Sequence, residues 1–461
     1  MNLDRAARTA ELAAVGAKAG VSIAAVKGAS RFVSAERATA MRERAELRSA
    51  EEVAAVLGNM KGAVMKIGQM ASYLDQGLPE PVREALAQLR NDAPPMAPEL
   101  VDAAVRAELG GLPGEVFAEF DPEPLAAASI GQVHRARTHD GAAVAVKVQY
   151  PGVDEAIAAD LANSDLLFGA LGMLFPGMDP GPIAEELRAR IGEELDYGLE
   201  AANQRSFAAY YDGHPTIHVP AVREDLSTRR VLTTELAEGV PWAEVLGWSQ
   251  EERNLAAETL FRFAFGGIYR LACFNGDPHP GNYLFLPGGR VTFLDFGLCK
   301  QFTPAEVAGF GELIQAMVFD DDMRAFAAAS ARLGVLSDPE RFTDDQIRGY
   351  FSHFYEFVLE DREMTVTPEY ASESVRRYFD LSSPHIDVMK AANLPPAYVI
   401  VQRINLGLMA LFGELGATAN WRRIAEEIWP WVDGAPSTPM GEEIRTWEVS
   451  AGHRSAAPAA G

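Results

Sequence analysis

Hydrophobic residues follow two different periods along this 461-residue chain. The first 60 residues are rich in Ala and carry apolar side chains at helical spacing, which predicts one or two helices. Residues 143–150 alternate apolar and polar positions, the pattern of a strand with one buried face. The helical period returns over residues 248–272 and dominates from residue 303 onward. Residues 434–461 show neither period, and we predict a disordered tail there.

A hairpin is predicted near the middle of the chain. Residues 283–286 and 290–294 are short apolar runs of strand character, and Pro287-Gly288-Gly289 between them is a turn signal. Such a hairpin returns Asn282 and Asp295 to the same end of a sheet. An amide oxygen and a carboxylate held together there suit a hard divalent ion such as Mg²⁺.

The residues around this hairpin have the spacing of a phosphotransfer site. Four residues separate Asp277 from Asn282, and Asp295 begins an intact Asp-Phe-Gly triplet. Protein kinases hold Mg²⁺ and ATP phosphates with an Asp, an Asn and a second Asp in this order. The His-Arg pair that precedes the first Asp in kinases does not match, since Asn275 and Gly276 stand there. A triplet alone matches by chance, so the interpretation depends on the upstream segments.

An upstream segment supplies groups that bind phosphate. Residues 124–136 predict a loop and a strand, Asp140-Gly141 predicts a hairpin turn, and residues 143–150 predict a strand that carries Lys147. The loop is rich in alanine where kinase loops are rich in glycine, which still permits some main-chain approach to phosphate but reduces backbone freedom. In this arrangement Lys147 reaches the phosphates.

An acidic helix is predicted over residues 182–210. Its Glu194 and Asp196 have apolar neighbours and are candidate partners for Lys147. They lie two residues apart, about 200° around a helix, so both cannot face the lysine. Residues 230–239 then predict a strand that leaves into a turn.

Near the N-terminus, Lys66 and Gln69 lie three residues apart and share one face of a predicted helix. Taken alone, such a pair is most often part of a solvated face. Residues 92–98 are rich in proline and predict a linker. We place the start of the folded catalytic region there.

Together these segments resemble the ABC1/AarF/UbiB family of atypical, protein-kinase-like proteins, which includes the ADCK proteins of mitochondria and plastids. The resemblance covers roughly residues 55–430 and rests on six motifs in the family's order. The motifs are Lys66-Ile67-Gly68-Gln69, Ala126-Ala127-Ala128-Ser129-Ile130-Gly131-Gln132-Val133-His134, Val144-Ala145-Val146-Lys147, Glu194-Leu195-Asp196, Asp277-Pro278-His279-Pro280-Gly281-Asn282 and Asp295-Phe296-Gly297.

The resemblance implies an α+β, two-lobed protein-kinase-like fold. It would have a small β-rich N-lobe, a mostly helical C-lobe and an added N-terminal helical extension. The expected boundaries are 1–54 for an N-terminal helical segment, 55–98 for the extension, 99–236 for the N-lobe with inserted helices, 237–433 for the C-lobe and 434–461 for the tail.

The resemblance also implies roles for single residues. Lys147 would hold the phosphates of ATP and pair with Glu194. Asp277 would stand at the catalytic-base position, and Asn282 with Asp295 would bind Mg²⁺. The alanine-rich loop and the main chain of the hinge would contact the nucleotide through Ala126, Ala127, Ala128, Ser129, Ile130, Gly131, Gln132, Val133, Glu235, Leu236 and Ala237.

The N-terminal extension would act on the same site. The resemblance implies that Lys66 and Gln69 fold across it, near Glu194, with Asp196 and Glu200 in support. Such an extension occludes the groove where ordinary kinases bind peptide. Poor protein-kinase activity and a small-molecule, lipid-linked or purely ATPase role would follow.

Composition narrows the partners. A formal net charge of −24 argues against a nucleic-acid partner and against general attraction to anionic membrane, while a local contact stays open. The two cysteines, Cys273 and Cys299, are expected to be buried thiols in a reducing compartment. The sequence predicts no signal peptide and no spanning helix; residues 166–178 come closest. We expect a cytoplasmic protein with possible peripheral membrane contact, and the sequence carries no signal for an oligomeric state.

Three functions fit these residues. The first is an ATP- and Mg²⁺-dependent atypical kinase or ATPase that acts on a small molecule or a lipid-linked process, with a link to isoprenoid quinones from the resemblance alone. The second, an ordinary Ser/Thr protein kinase, is disfavoured by the missing His-Arg and Ala-Pro-Glu segments. The third is a nucleotide-binding scaffold without turnover, which the alanines of the phosphate loop leave open. The first is the function we expect.

Overall fold

The structure, a computed structural model, describes residues 96–128, 130–154, 192, 195–275, 278–378, 384–393 and 395–453. The chain divides into two compact units. The first unit is Met1–Leu199 with Arg223–Thr234, and the second is Glu200–Val222 with Glu235–Gly461. The predicted segment 1–54 and nearly all of the predicted extension lie outside the described residues. Residues 200–222, which we expected in the N-lobe, group with the second unit.

The strands of the described residues are short. In chain order they are β1 Glu119–Ala128, β2 Gly131–Arg137, β3 Ala143–Gln149, β4 Ile217–His218, β5 Val231–Glu235, β6 Cys273–Asn275, β7 Tyr283–Leu286, β8 Arg290–Phe293, β9 Cys299–Gln301, β10 Met364–Thr365 and β11 Thr418–Ala419.

Helices dominate the second half of the chain. In order the α-helices are α1 Pro98–Leu109, α2 Pro113–Val116, α3 Tyr197–Tyr210, α4 Trp242–Val245, α5 Gln250–Leu271, α6 Pro304–Ile314, α7 Met323–Arg332, α8 Asp344–Phe351, α9 Glu356–Leu359, α10 Pro368–Tyr378, α11 Ile386–Ala391, α12 Pro396–Leu415, α13 Trp421–Ile428 and α14 Pro439–Ser450. A π-helical turn at Gln315–Phe319 follows α6.

The first unit is built on a sheet with the strand order β1-β2-β3-β5. Strand β2 pairs antiparallel with both β1 and β3. Every second residue of β3 enters a core, since Val144, Val146 and Val148 are at most 1% exposed. The alternation predicted for residues 143–150 is therefore confirmed, and Lys147 lies on the opposite face of the strand.

Helix α1 covers the buried face of this sheet. Pro98 occupies its first turn, where a missing N–H costs no helical hydrogen bond. Gly110 ends the helix in the left-handed conformation, with φ 83°. Val101 and Val105 are buried and pack with Phe117 against the valines of β3. This apolar layer fixes the sheet that carries Lys147.

Helix α5 is the centre of the second unit. Ser249 caps it by accepting a hydrogen bond from the main-chain N–H of Glu252. The sequence predicted an amphipathic helix over residues 248–272, but every residue from Ala256 to Tyr269 is buried. The helix contacts β6, β8, α12 and α13. A helix enclosed in this way has no solvent face to keep polar, which explains the difference.

Helix α12 is long and apolar. Its segment Ala397–Leu415 is the one helix of the described residues that could cross a membrane by length and composition. The sequence analysis expected no such segment. Within the fold, Ile404 and Leu408 are buried in the core, and Phe412 stacks on Trp421 with ring centroids 4.8 Å apart. One face of α12 therefore packs inside the second unit.

The predicted disordered tail over residues 434–461 is wrong for α14. Thr438 caps this helix by accepting a hydrogen bond from Gly441 N. Met440, Ile444 and Trp447 recur at helical spacing and are buried. Sequence reasoning missed them because a Gly- and Pro-rich stretch precedes the helix and reads as a linker.

A buried charge cluster fastens α14 to the centre of the unit. Arg262 of α5 is 5% exposed, and its Nη2 lies 2.8 Å from Glu258 Oε1 and 3.0 Å from Glu427 Oε2. Thr438 donates to Glu258 at 2.6 Å, and Ser437 donates to Glu427 at the same distance. Buried charges are tolerated when they are paired and hydrogen-bonded, as both carboxylates are here.

Candidate active site

The hairpin β7–β8 forms one edge of the candidate site. Its register pairs Tyr283 with Phe293, and Leu294 N donates to Asn282 O at 2.9 Å. Asn282 and Asp295 therefore flank the open end of the same hairpin. The predicted turn and strands are confirmed, with the second strand ending at Phe293.

The Asp-Phe-Gly segment, residues 295–297, continues directly from this hairpin. Gly297 N donates to Asp295 Oδ1 at 2.9 Å, which fixes the orientation of the carboxylate. Phe296 is fully buried, with its ring centroid 5.1 Å from that of Phe207 and 6.5 Å from that of Phe263. The segment is thus held from both sides, by a turn at Asp295 and by an aromatic cluster at Phe296.

Two asparagines hold the main chain of the same segment. Asn275 Nδ2 donates to Asp295 O at 2.5 Å, and Asn203 Nδ2 donates to Phe296 O at 3.1 Å. Sequence analysis noted Asn275 only as a mismatch to the kinase His-Arg and did not single out Asn203. Asn203 left one signal, its spacing of three residues from Glu200 on a helix.

Glu200 lies beside the Asp-Phe-Gly segment. It is 4% exposed, and a Cβ built on Gly297 would lie 3.6 Å from Glu200 Oε2 and 3.3 Å from Asp295 Oδ1. Two carboxylates this close repel each other unless a cation or a proton offsets the charge. The predicted supporting residue and the predicted metal ligand are therefore neighbours of the same glycine.

This donor set fits Mg²⁺. Asn282, Asp295 and Glu200 offer hard oxygen donors, which Mg²⁺ prefers. The described residues contain no group of three or more His, Cys, Asp or Glu side chains placed to bind a metal by themselves. A cation held here would complete its coordination with phosphate oxygens and water, the arrangement typical of Mg²⁺ in phosphotransfer sites.

Lys147 stands on the half-buried face of β3 in the first unit. It pairs with Val133 of β2, and its Nζ lies 4.9 Å from the centroid of the Tyr197 ring. A cation over an aromatic face is attracted to the ring's negative π surface. The ring of Tyr197 therefore helps to position the lysine.

Asp196 has a structural position at the start of α3. Its Oδ1 accepts a hydrogen bond from Gly198 N at 2.9 Å, and its Oδ2 lies 3.7 Å from Arg229 Nε. A carboxylate at a helix N-terminus is favoured by the free N–H groups there. Asp196 therefore anchors α3, which leaves its predicted supporting role a prediction.

The alanine-rich residues form a strand end, where a loop was expected. Ala126 to Ala128 belong to β1 and pair with β2, so that Ala128 lies opposite Gly131. A Cβ at Gly131 would come within 2.1 Å of Val148 O, which leaves no space for a side chain. The chain turns back tightly at Ile130, and main-chain pairing with neighbouring strands explains the strand conformation.

Gln132 turns away from the lysine. It is 1% exposed, accepts a hydrogen bond from Met96 N at 2.8 Å, and bonds to His134 Nε2 at 2.9 Å. His134 also bonds to Asp121 O, and burial lowers the pKa of its ring. The side chain of Gln132 therefore joins the incoming chain to the sheet, and its predicted nucleotide contact applies to the main chain.

The predicted hinge begins at Glu235. Its N–H donates to Ala221 O at 2.8 Å, and its Oε2 lies 3.4 Å from His218 Nε2. Leu236 and Ala237 follow the strand and are half-buried. The Glu235 amide is thus used within the fold, and the adenine contact remains a prediction for the next two residues.

The two cysteines lie on the paired strands β6 and β9. Cys273 is buried, and Cys299 Sγ donates to Phe296 O at 3.4 Å. The hydrogen bond with Cys273, together with burial, raises the pKa of the Cys299 thiol far above its usual range. Both thiols are structural, as the sequence suggested.

Five predicted site residues, Lys66, Gln69, Ser129, Glu194 and Asp277, lie outside the described residues. Among the others, the second unit brings together Asn282, Asp295 and Glu200. The first unit brings together Lys147, Val133 and the tight turn at Gly131.

Comparison with curated proteins finds a shared core. The chain is 36% identical over 279 residues to "Atypical kinase COQ8B, mitochondrial" of Rattus norvegicus, covering 59% of this chain and 52% of that protein. It is 32% identical over 285 residues to "Atypical kinase COQ8, mitochondrial" of Saccharomyces cerevisiae, covering 61% and 56%. The chain spans about half the length of the curated relatives it matches.

Comparison with solved structures and family profiles covers more of the chain. The structure titled "The complex structure of Rv3197-erythromycin from Mycobacterium tuberculosis" matches with a TM-score of 0.62 and 33% identity, over 86% of this chain and 99% of that one. This neighbour confirms the predicted α+β, protein-kinase-like fold class. The profile described as "ABC1 atypical kinase-like domain" matches residues 88–329, more than half of the chain. The chain belongs to the ABC1 atypical kinase-like family.

Proposed function

We propose that this protein is an ATP- and Mg²⁺-dependent atypical kinase or ATPase that acts on a small molecule or a lipid-linked process. The observation that carries the proposal is the open end of the β7–β8 hairpin. There Asn282 and Asp295 flank one edge, and Glu200 lies beside Gly297 of the same segment. Oxygen donors collected in this way suit a divalent cation bound together with phosphate.

Each residue has a defined task in the proposed reaction. Lys147 binds phosphate oxygens by charge. Asn282 and Asp295 hold Mg²⁺, which when bound neutralises charge on the transferring phosphoryl group. Asp277 accepts the proton of the attacking hydroxyl, either of an acceptor or of water. Catalysis would then come from positioning and electrostatics, the main contributions in phosphoryl transfer.

A small-molecule or lipid-linked acceptor is supported by the relatives. Those with curated names are called atypical kinases, and the solved relative was crystallised with erythromycin, a small molecule. The segment after residues 295–297 contains no Ala-Pro-Glu triplet, which ordinary protein kinases carry there. Both observations favour a small acceptor over a protein substrate.

The test is Mg²⁺-dependent ATP hydrolysis by the purified full chain, with and without liposomes and a phenolic quinone-precursor mimic. We expect Asp295→Asn to abolish turnover, and Lys147→Ala to weaken nucleotide binding by roughly 10- to 100-fold, because charged hydrogen bonds contribute about 1.5–3 kcal/mol. Lys390→Ala, which removes an exposed lysine, should leave both unchanged.

The outcomes separate the candidate functions. Turnover that requires Asp295 and rises with lipid or the phenol supports the proposal. Nucleotide binding without Asp295-dependent turnover under any condition indicates a scaffold. Efficient phosphorylation of added proteins would instead restore the protein-kinase interpretation.

A further inference from the structure

We propose that Asn203 and Asn275 form an amide clamp that holds residues 295–297 in one main-chain conformation and thereby positions the Asp295 carboxylate. Asn275 reaches the segment from β6 and donates to Asp295 O, while Asn203 reaches it from α3 and donates to Phe296 O. Two successive carbonyls are therefore bound by side chains from two distant parts of the sequence.

The clamp acts where the main chain has no sheet partner. Strand β8 ends at Phe293, and β9 starts only at Cys299, so the carbonyls of Asp295 and Phe296 lie between two strands. A buried carbonyl without a donor costs about 1–3 kcal/mol. The two amides supply donors in the conformation seen here, and a rotated Asp295–Phe296 peptide would lose them.

Asn275 contributes through its donor group. The side chain is 5% exposed, and its Oδ1 accepts no hydrogen bond from the described residues. The bond to Asp295 O is thus the contact that fixes the carboxamide. It occupies the sequence position two residues before Asp277 where kinases have His, another side chain with an N–H donor. Asn275 therefore supplies the donor in place of the missing histidine.

Asn203 links a second carboxylate to the same segment. One helical turn along α3 separates it from Glu200, which lies beside Gly297. The bond from Asn203 to Phe296 O therefore fixes the separation of Glu200 and Asp295 along with the main chain. Both asparagines are positioning residues, since they touch the segment and contact neither nucleotide nor metal.

The helix offers a matched control. Gln204 follows Asn203, is 1% exposed, and donates from Nε2 to Pro220 O at 2.7 Å. It is an amide with a buried main-chain acceptor, like Asn203, but its acceptor lies outside residues 295–297. Replacing Gln204 measures the general cost of losing such a bond.

The first experiment measures the clamp itself in the full chain. Amide hydrogen exchange of residues 294–298 is compared for wild type, Asn203→Leu, Asn275→Leu, Asn275→His and Gln204→Met. We expect about ten-fold faster exchange in both Leu variants, because local opening follows the loss of about 1.4 kcal/mol. The rate should be restored by Asn275→His and unchanged in Gln204→Met.

The second experiment measures the consequence for the metal, and it rests on the proposed function. Mn²⁺ with ADP serves as the probe, and its affinity is read by electron paramagnetic resonance. Groups that orient a metal ligand typically contribute 10- to 100-fold in metal affinity, so a weakening of roughly that size is expected in both Leu variants. Asp295→Asn in the same titration shows whether the signal comes from this site.

Each result decides one part of the proposal. Wild-type exchange in both Leu variants, or equally fast exchange in Gln204→Met, overturns the clamp. Faster exchange with unchanged Mn²⁺ affinity overturns the positioning of Asp295. If wild type binds no Mn²⁺ with ADP, the proposed function fails while hydrogen exchange alone still decides the clamp.

Discussion

His214 carries a pH-dependent contribution to stability at the scale of one residue. Its Nδ1 accepts hydrogen bonds from Thr216 N at 3.1 Å and Ile217 N at 2.9 Å. The Trp447 ring covers it, with ring centroids 4.5 Å apart. Burial, and then the charge of Arg262, lowers its pKa to about 3. The folded protein therefore holds this ring neutral where an unfolded chain protonates it.

The sign of the pH effect follows from that pKa. Between about pH 6.5 and pH 3 the unfolded chain binds the proton at His214 and the folded chain does not, so stability falls as the pH falls. From pH 7 to pH 5 the loss from this group is about 2 kcal/mol. Urea unfolding at both pH values should show it, and His214→Asn should reduce it.

The control for this prediction is His139→Asn, which alters an exposed histidine of the first unit. It should leave the pH dependence of unfolding as in wild type. An unchanged pH dependence in His214→Asn would show that other groups, such as the buried His353, whose pKa is lowered to about 4 mainly by burial, account for the acid sensitivity.

At the scale of elements, α14 contributes to stability although its sequence reads as a tail. Trp447 is 8% exposed, donates from Nε1 to Asp212 O at 2.8 Å, and lies over His214. We expect Trp447→Ala to lower the free energy of unfolding by about 3–5 kcal/mol, the usual cost of removing a buried aromatic side chain. Urea titration and the thermal midpoint both report this loss.

A neighbouring position supplies the control. Val449 is 37% exposed on the same helix, and Val449→Ala should change stability by less than about 1 kcal/mol. Trp447→Ala should also weaken the pH effect of His214, because solvent then reaches the ring. A stable Trp447→Ala variant with wild-type acid sensitivity would contradict the packing of α14 described above.

The elements that sequence patterns predicted well are those set by local signals. The β7–β8 hairpin follows from a Pro-Gly-Gly turn between two apolar runs, and its register then places Asn282 and Asp295. Helix α1 follows from a proline at its start and a glycine at its end. These features need no information from distant residues.

The features that were missed depend on long-range contacts. Ala126 to Ala128 have weak strand propensity, and they form β1 because β2 pairs with them. Asn203 and Asn275 meet residues 295–297 from positions 93 and 20 residues away. No periodicity marks an asparagine whose acceptor lies that far along the chain, so the clamp needed coordinates.

At the scale of the whole molecule, charge governs contact with membranes. With a formal net charge of −24, the chain is repelled on average by anionic lipid, and repulsion is strongest at low salt, where screening is weak. We expect the fraction bound to vesicles to stay flat or fall as anionic lipid replaces neutral lipid. Vesicle flotation at low and at moderate salt measures this fraction.

Neutral vesicles are the reference for that comparison. Bound protein that increases with anionic lipid and decreases with salt would contradict the prediction, since it requires a local basic surface that outweighs the net charge. Binding that is equal on neutral and anionic vesicles would point to an apolar contact, for which charge is irrelevant.

The buried position of Phe296 has a consequence for inhibitor chemistry. The ring has no exposed surface, packs against Phe207 and Phe263, and is followed by a glycine wedged between two carboxylates. A compound that needs this ring to swing outward must expose a full aromatic side chain and break the bonds at two carbonyls. Compounds selective for this protein should therefore be those that leave Phe296 in place.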